Sequence, residues 1–273
     1  MQLPGPESGT IINLPEPGGT FRWEQAPWGR ILTCGALAPA AFHFFTVRPV
    51  PGLGRATAPS WDDIATYSGL PADRLWHLRQ VHGCRALVVD EETPAVSAAL
   101  PEADALLTLR PGVAVAVKVA DCVPVLIAHR DGRGVAAVHA GWRGTAQRIV
   151  QETAGALARA CGTPASDLIA AIGPSIGVCC YEVGPEVREA FAATHAAGAV
   201  DRWFRPASGD RFHLDLWQAN REQLIDAGLA PEQIHVAALC TATHDTVFHS
   251  YRRERGSVGR MLAVIRRRPA QPE

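Results

Sequence analysis

The chain reads as an α+β protein, a single domain in which mixed, largely antiparallel β-sheets are covered by helices in a layered α/β/α arrangement. Three observations predict this. Short β-rich runs follow one another at 29–34, 41–47, 75–81, 85–90, 104–109, 113–119, 123–129 and 134–139, punctuated by turn signals such as the Asp-Gly hairpin cue in "RDGRG" at 130–134. Three helical segments interrupt the later part of the chain without the regular alternation that a parallel βαβ sheet requires. No internal repeat or low-complexity linker divides the 273 residues, and a hydrophobic content of 47% is enough for one sizeable core.

Each helix carries its own signature. Over 144–161 the apolar period lengthens, placing Ala146, Ile149, Val150, Thr153 and Leu157 on one face, with Gly162 as the stop. "GPEVREAFAATH" at 184–195 reads as a second helix with Pro185 in its first turn. "DLWQ" at 215–218 announces a third: Asp215 can accept from a backbone N–H while Gln218 reaches back, and the helix should run to about Ala227 before Gly228 ends it. Strands at 233–239 and 260–266 follow. Residues 1–20 are rich in Pro and Gly and read as a loose leader, which leaves 21–273 as the folded domain.

Composition excludes several classes of partner. The formal net charge is −1 and no basic block precedes the "RRR" at 266–268, so nucleic acid is not expected as the main ligand. No apolar run reaches the roughly 18–20 residues that span a bilayer; the best candidate, 113–128, is broken by Lys118 and Asp121. The first residues show neither a basic n-region nor an apolar h-region, so no secretory signal is read. Seven cysteines, an odd number without framework spacing, point to reduced thiols and a cytoplasmic location.

Three motifs raise the question of function. Cys122 of "ADC" closes one strand run, and one hairpin later His139 of "HAGWRG" closes another; His82 of "RQVHG" ends the run at 75–81. Side chains at strand ends can converge on one sheet edge. A His/Cys/His set there suits zinc, with a fourth position left for water. Taken singly, each residue has a plainer reading, as a core thiol or a hydrogen-bonding surface imidazole, and no CxxC or HExxH spacing supports the metal. Cys122 as thiolate nucleophile with His139 as base is an alternative use of two of the three. Asp121 beside Cys122 could orient an imidazole or cap a turn, and Asp104 is the other nearby carboxylate. Arg143 could bind an anion or pair with a carboxylate at the helix start. Cys179 and Cys180, in "CCYEVG", read as packing or pocket-lining thiols; "YRRERG" at 251–256 reads as a solvated turn; and His244 and His249 are wrongly spaced for a metal pair.

In the order "RQVHG", "EADALLT", "ADCVPVL", "AAVHAGWRG", "IGPSIGVCCYEVG" and "SYRRERGSVGRMLAVI", the chain resembles the YfiH-like family from about residue 40 to 266. Members of that family are described as laccase-domain proteins, polyphenol oxidases, peptidoglycan editing factors and purine nucleoside phosphorylases. The resemblance implies a metal held by His82, Cys122 and His139, with zinc expected and copper the alternative. It implies purine nucleoside (adenosine, inosine or methylthioadenosine) and phosphate as substrates, with deamination of adenosine as a parallel reaction. Arg48 is the counterpart of the family's active-site arginine, although "FFTVRPVPGLG" at 44–54 inserts Val47 and lacks the usual Gly-Gly. A guanidinium suits bidentate capture of phosphate. Laccase chemistry fits poorly: all ten histidines are isolated, no His-x-His occurs, and only Met1 and Met261 could serve as a weak axial ligand. A Cys–His amidase acting on peptidoglycan precursors, a copper-dependent polyphenol oxidase and a non-catalytic metal-binding module are the competing readings, and the oligomeric state is left open.

Overall fold

In the computed structural model, which describes residues 13–49, 57–93, 100–255 and 258–268, Val123–His129 forms a strand with every residue buried. It turns at 130–134 and pairs antiparallel with Val135–Ala140, placing Val123 opposite Ala140 and Pro124 opposite His139. Gly132 takes the turn position with φ +70°, a conformation that costs a residue without Cβ little. The hairpin sits inside a six-stranded sheet ordered Ile234–Val236, Leu168–Ile172, Val123–His129, Val135–Ala140, Ala105–Thr108 and Ala86–Val89. A second six-stranded sheet is ordered Phe21–Ala26, Gly29–Cys34, Ala41–Thr46, Met261–Arg267, Ala114–Val119 and Leu75–Trp76. Pairing is largely antiparallel, with parallel contacts between 86–89 and 105–108, 75–76 and 114–115, and 170–172 and 234–236.

The two sheets pack face to face. Phe45, Val115, Val117 and Ile265 from one sheet meet Leu106, Leu126 and Ala137 from the other. Burial on both faces explains why the central strands read as unbroken apolar runs instead of alternating ones. The remaining face of the hairpin sheet is covered by the helices Ile149–Cys161, Pro185–Ala192, Ala197–Trp203 and Leu216–Asp226. The outer face of the other sheet packs on Trp61–Tyr67 through Ile64 and Ala65. The layers therefore run helix, sheet, sheet, helices, an α+β arrangement whose middle is a pair of sheets. Among the described residues, no helix is long and apolar enough to cross a membrane.

Several elements depart from expectation for local reasons. The strand expected over 75–81 is paired only at Leu75–Trp76; beyond it the chain peels away to deliver His82. The helix expected over 144–161 is two, Trp142–Ala146 and Ile149–Cys161, because Arg148 stands in the left-handed region at φ 63°. Gly162 ends the second helix at φ 67°. Asp215 caps Leu216–Asp226 by accepting from Gln218 N at 3.0 Å. The Gln218 side chain, however, donates to Glu222 rather than back to the cap. The helix Trp61–Tyr67, unforeseen, is opened by a reciprocal pair between Ser60 and Asp63. Of the segment read as a leader, residues 1–12 lie outside the described residues. Farther on, Gly18 N donates to Ala237 O at 2.8 Å, and Leu14 packs on the inter-sheet core.

Loss of the Asp215 cap exposes an unpaired N–H at the start of the helix that carries Leu216 to the cavity described below. Asp215→Ala should destabilise the protein by about 1 kcal/mol in denaturant unfolding, with the slope of the transition unchanged; an effect near zero would show that the cap contributes nothing.

Candidate metal centre

Asp104 immediately precedes the strand Ala105–Thr108 and is fully buried. Burial alone would raise its carboxyl pKa, but hydrogen bonds from His139 and from the Gly83 and His82 N–H groups hold it below the usual carboxylate range. Oδ1 accepts from His139 Nδ1 at 2.8 Å and from His82 N at 3.0 Å. Oδ2 accepts from Gly83 N at 2.7 Å and Val81 N at 3.2 Å. Three consecutive N–H groups thus wrap one carboxylate, which is how the loop holds His82 at φ 59°. The same carboxylate occupies Nδ1 of His139 and leaves Nε2 free to face the centre.

The hairpin register does the rest. His139 opposes Pro124, so Cys122 emerges just beyond the end of the same strand pair. The donor atoms of His82, Cys122 and His139 lie within 4.8 Å of one another, and the two imidazoles meet edge to face with centroids 4.9 Å apart. Burial would raise the Cys122 thiol, yet the imidazoles of His139 and His82 bring it down to about 6. Burial would lower His139, yet the Cys122 thiolate and Asp104 lift it to about 9. Without a cation the site therefore favours an imidazolium–thiolate pair. Two imidazoles and a thiolate, with an oriented second-sphere carboxylate, are a donor set that zinc accepts.

"HAGWRG" explains itself in this geometry. A Cβ on Gly141 would stand 3.0 Å from Cys122 Sγ and 3.3 Å from His82 Cδ2, inside the space the ligands need. A Cβ on Gly144 would stand 2.8 Å from Gly83 O, so the helix Trp142–Ala146 could not approach the 82–83 loop. Neither glycine is needed for an unusual backbone angle; both are needed for proximity.

The three ligands open onto a cavity of about 690 Å³. Its wall carries the cations Arg79, Lys118, Arg143, Arg252 and Arg260 and the aromatic rings of Trp142, Tyr181 and Tyr251. Arg143 does not pair with a carboxylate at the helix start; its guanidinium lies 4.2 Å over the Trp142 ring. Arg79 is bound to Glu102. Burial, reinforced by the Cys122 charge, raises the Tyr181 phenol, so it remains protonated through neutral pH.

Some sequence expectations are redirected. Asp121 is not the carboxylate that orients an imidazole; it stands at φ 81° and accepts from Thr241 Oγ1 at 2.5 Å and Arg252 N at 2.6 Å, and Asp104 performs the orienting role. "YRRERG" is more than a solvated turn: Arg252 donates to Glu182 O at 2.9 Å, lies over the Tyr181 ring and lines the cavity. Arg48 donates to Glu254 Oε1 at 3.0 Å and Asp245 O at 3.1 Å and is not among the residues lining the cavity. His244 and His249 belong to no metal-ligand cluster among the described residues. Lys118, Arg252 and Arg260 were missed as wall residues because the cavity they line is assembled from distant chain segments; the Lys interrupting the apolar run 113–119 was the available hint.

The chain is similar to known proteins along most of its length. A family model described as "Multi-copper polyphenol oxidoreductase laccase" matches residues 56–268, and the chain belongs to that family, which is the YfiH-like family its motifs resemble. The chain is 40% identical over 162 residues to a purine nucleoside phosphorylase of Bacteroides thetaiotaomicron, a match covering 59% of this chain and 60% of that one. It is 38% identical over 212 residues to "Adenosine deaminase RL5" from an unknown prokaryotic organism, across 75% of this chain and 79% of that one. The crystal structure of the Bacillus licheniformis hypothetical protein YfiH superposes with a TM-score of 0.80 at 28% identity, covering 90% of this chain and 99% of that one.

Two measurements follow. In metal-stripped protein, alkylation of Cys122 should rise with a midpoint near pH 6. Asp104→Asn should move that midpoint upward, because His139 then holds its proton less well; an unmoved midpoint would break the Asp104–His139–Cys122 chain. Gly141→Ala should weaken zinc binding by about 10–100-fold, the loss typical of a disturbed second sphere, while leaving the circular dichroism spectrum intact; wild-type affinity would show that Cβ is accommodated.

Proposed function

We propose that the chain is a metal-dependent purine nucleoside phosphorylase with accompanying adenosine deaminase activity, using zinc held by His82, Cys122 and His139. The observation that carries the proposal is the convergence of these three donors on the floor of a cation-rich, aromatic-walled cavity. The names of the relatives support the choice of substrates.

Phosphorolysis joins a phosphate oxygen to the anomeric carbon and breaks the bond from that carbon to the purine nitrogen, which leaves with the electron pair. The site must therefore bind a phosphate, hold a flat base and accept charge developing on the purine. Among the described residues the wall cations Lys118, Arg143, Arg252 and Arg260 have no carboxylate paired with their side chains, whereas Arg79 is paired with Glu102. They are the phosphate-binding candidates. The Trp142, Tyr181 and Tyr251 rings offer faces against which a purine can stack. Deamination exchanges the purine amino group for a water oxygen and releases ammonia. Zinc at the three ligands would supply Lewis-acid polarisation at neutral pH. The chain's own contribution is placement: Asp104 fixes both histidines, and the cavity wall keeps the Tyr181 hydroxyl protonated.

A second reading rests on one observation: Asp104, His139 and Cys122 are lined up as carboxylate, imidazolium and thiolate, an order that also suits a nucleophilic cysteine. An amidase acting on a cell-wall precursor would use it. His82 separates the two readings, since a nucleophile mechanism gives that imidazole no direct part.

On metal-quantified protein, inosine should be converted to hypoxanthine in proportion to phosphate, and His82→Ala should lose bound metal and turnover together. Full turnover of metal-free His82→Ala would favour the nucleophile instead. Arg143→Gln should lower kcat/KM for phosphate about 10–100-fold, the range for losing a charged hydrogen-bond donor, with metal content unchanged; an unchanged phosphate dependence would remove Arg143 from that role.

A further inference from the structure

A second cluster of metal-type donors lies outside the centre described above. The thiols of Cys179, Cys180 and Cys240 lie within 4.8 Å of one another, and all three are free cysteines. Cys179 Sγ and Cys180 Sγ are 3.5 Å apart, and Thr243 Oγ1 sits 3.6 Å from the first and 3.5 Å from the second. We propose that these three cysteines form a separate binding site for one thiophilic metal ion, Cu(I), in an all-sulfur trigonal shell.

The site is built by two loops brought side by side. Ser175 and Cys240 form a parallel bridge, with Ser175 N donating to Leu239 O and Thr241 N to Ser175 O. The chain then turns at Gly177, whose carbonyl accepts from both Cys180 N and Tyr181 N, and this turn carries the Cys-Cys pair over Cys240. A Cβ on Gly177 would stand 3.2 Å from Cys240 Cβ and 2.9 Å from the Trp217 ring, so the turn settles this closely only with glycine there. Gly177 N donates to Cys240 Sγ at 3.2 Å, orienting that sulfur.

Ligand chemistry selects the ion. With metal–sulfur bonds of about 2.3 Å, three sulfurs around one ion stand about 4 Å apart, a spacing the cluster reaches with little movement. A structural zinc site completes four strong ligands; here, among the described residues, the further side chain against the pair is the neutral Thr243 hydroxyl. A soft ion content with three thiolates is Cu(I). Cys240 is buried and Cys179 exposed, so the pocket has a closed back and an open mouth through which an ion can enter. On binding, each coordinating thiol releases its proton to solvent and the copper stays Cu(I), so no oxidant or reductant is consumed. The 177–181 turn supplies Tyr181 to the cavity wall and follows Ile176, another wall residue. An ion bridging Cys179 and Cys180 to Cys240 would therefore tie that wall to the loop beginning at Cys240.

The test uses the full chain carrying Cys122→Ser, which removes the thiolate of the other centre. Anaerobic Cu(I) titration against a chromophoric Cu(I) chelator, followed by X-ray absorption of the loaded protein, should give one tightly held ion with a sulfur-only shell. Adding Cys179→Ser should weaken that binding at least tenfold with the circular dichroism spectrum unchanged. Cys240→Ser should do the same, and because Cys179 is exposed its result stands even where the buried change perturbs folding. A shell containing nitrogen, affinity unaltered by Cys179→Ser, or tighter binding of Zn(II) than of Cu(I) would overturn the assignment.

Discussion

The Asp104 carboxylate is the point on which the His82–Cys122–His139 cluster depends. One buried group receives three backbone N–H groups of the His82 loop and the Nδ1–H of His139. It thereby converts two histidines that are 57 positions apart by number, 82 and 139, into one rigid unit. A carboxylate so deeply buried is costly unless its lone pairs are filled. Here four hydrogen bonds fill them, and each also positions the site. Stability and function are served by the same contacts, so the site cannot loosen without unpairing a buried charge.

The sheets provide the frame on which this works. The strand after Asp104, the strand containing His139 and the strand starting after Cys122 are hydrogen-bonded neighbours, so ladder register sets the spacing of Asp104, His139 and Cys122. A one-residue slip would turn every side chain of a strand to the opposite face. Both faces of the hairpin sheet are buried, one against the second sheet and one against helices, and that double burial prevents slippage. Glycines at 141 and 144 then remove the last obstructions between ligand loop, ligand strand and helix. Function at this edge is a by-product of core packing a few residues away.

Much of this was legible from the residues. Long apolar strand runs, the Asp-Gly turn and the Asp215 cap follow short-range rules, and they fold as those rules require. His82, Cys122 and His139 were singled out by their places at strand ends, and the structure brings their donor atoms together. What stayed hidden depends on contacts distant in sequence. Nothing near Asp104 distinguishes it from Asp121, and only the sheet order shows which carboxylate faces the imidazole. The break at Arg148 is invisible in a helical period that continues across it. Arg252 looked solvated because its partners, Asp121 and Glu182, are about 70 to 130 residues away. Arg48, singled out by its motif position, donates to Glu254 and to Asp245 O, contacts about 200 residues away in sequence that its neighbours do not reveal.

Among the described residues the chain carries two thiol-bearing clusters, one mixed with imidazole and one of sulfur alone. The mixed set is oriented from behind by a carboxylate and opens onto the cavity; the sulfur set is wedged between loops and touches the cavity only through its neighbours. The most direct test of the central claim is anomalous diffraction at the zinc edge from crystals of the zinc-loaded protein. A single strong peak bonded to His82, Cys122 and His139, with Asp104 still on His139 Nδ1, is the result this structure requires. Zinc bound elsewhere, or at this edge with His82 turned away into solvent, would contradict it.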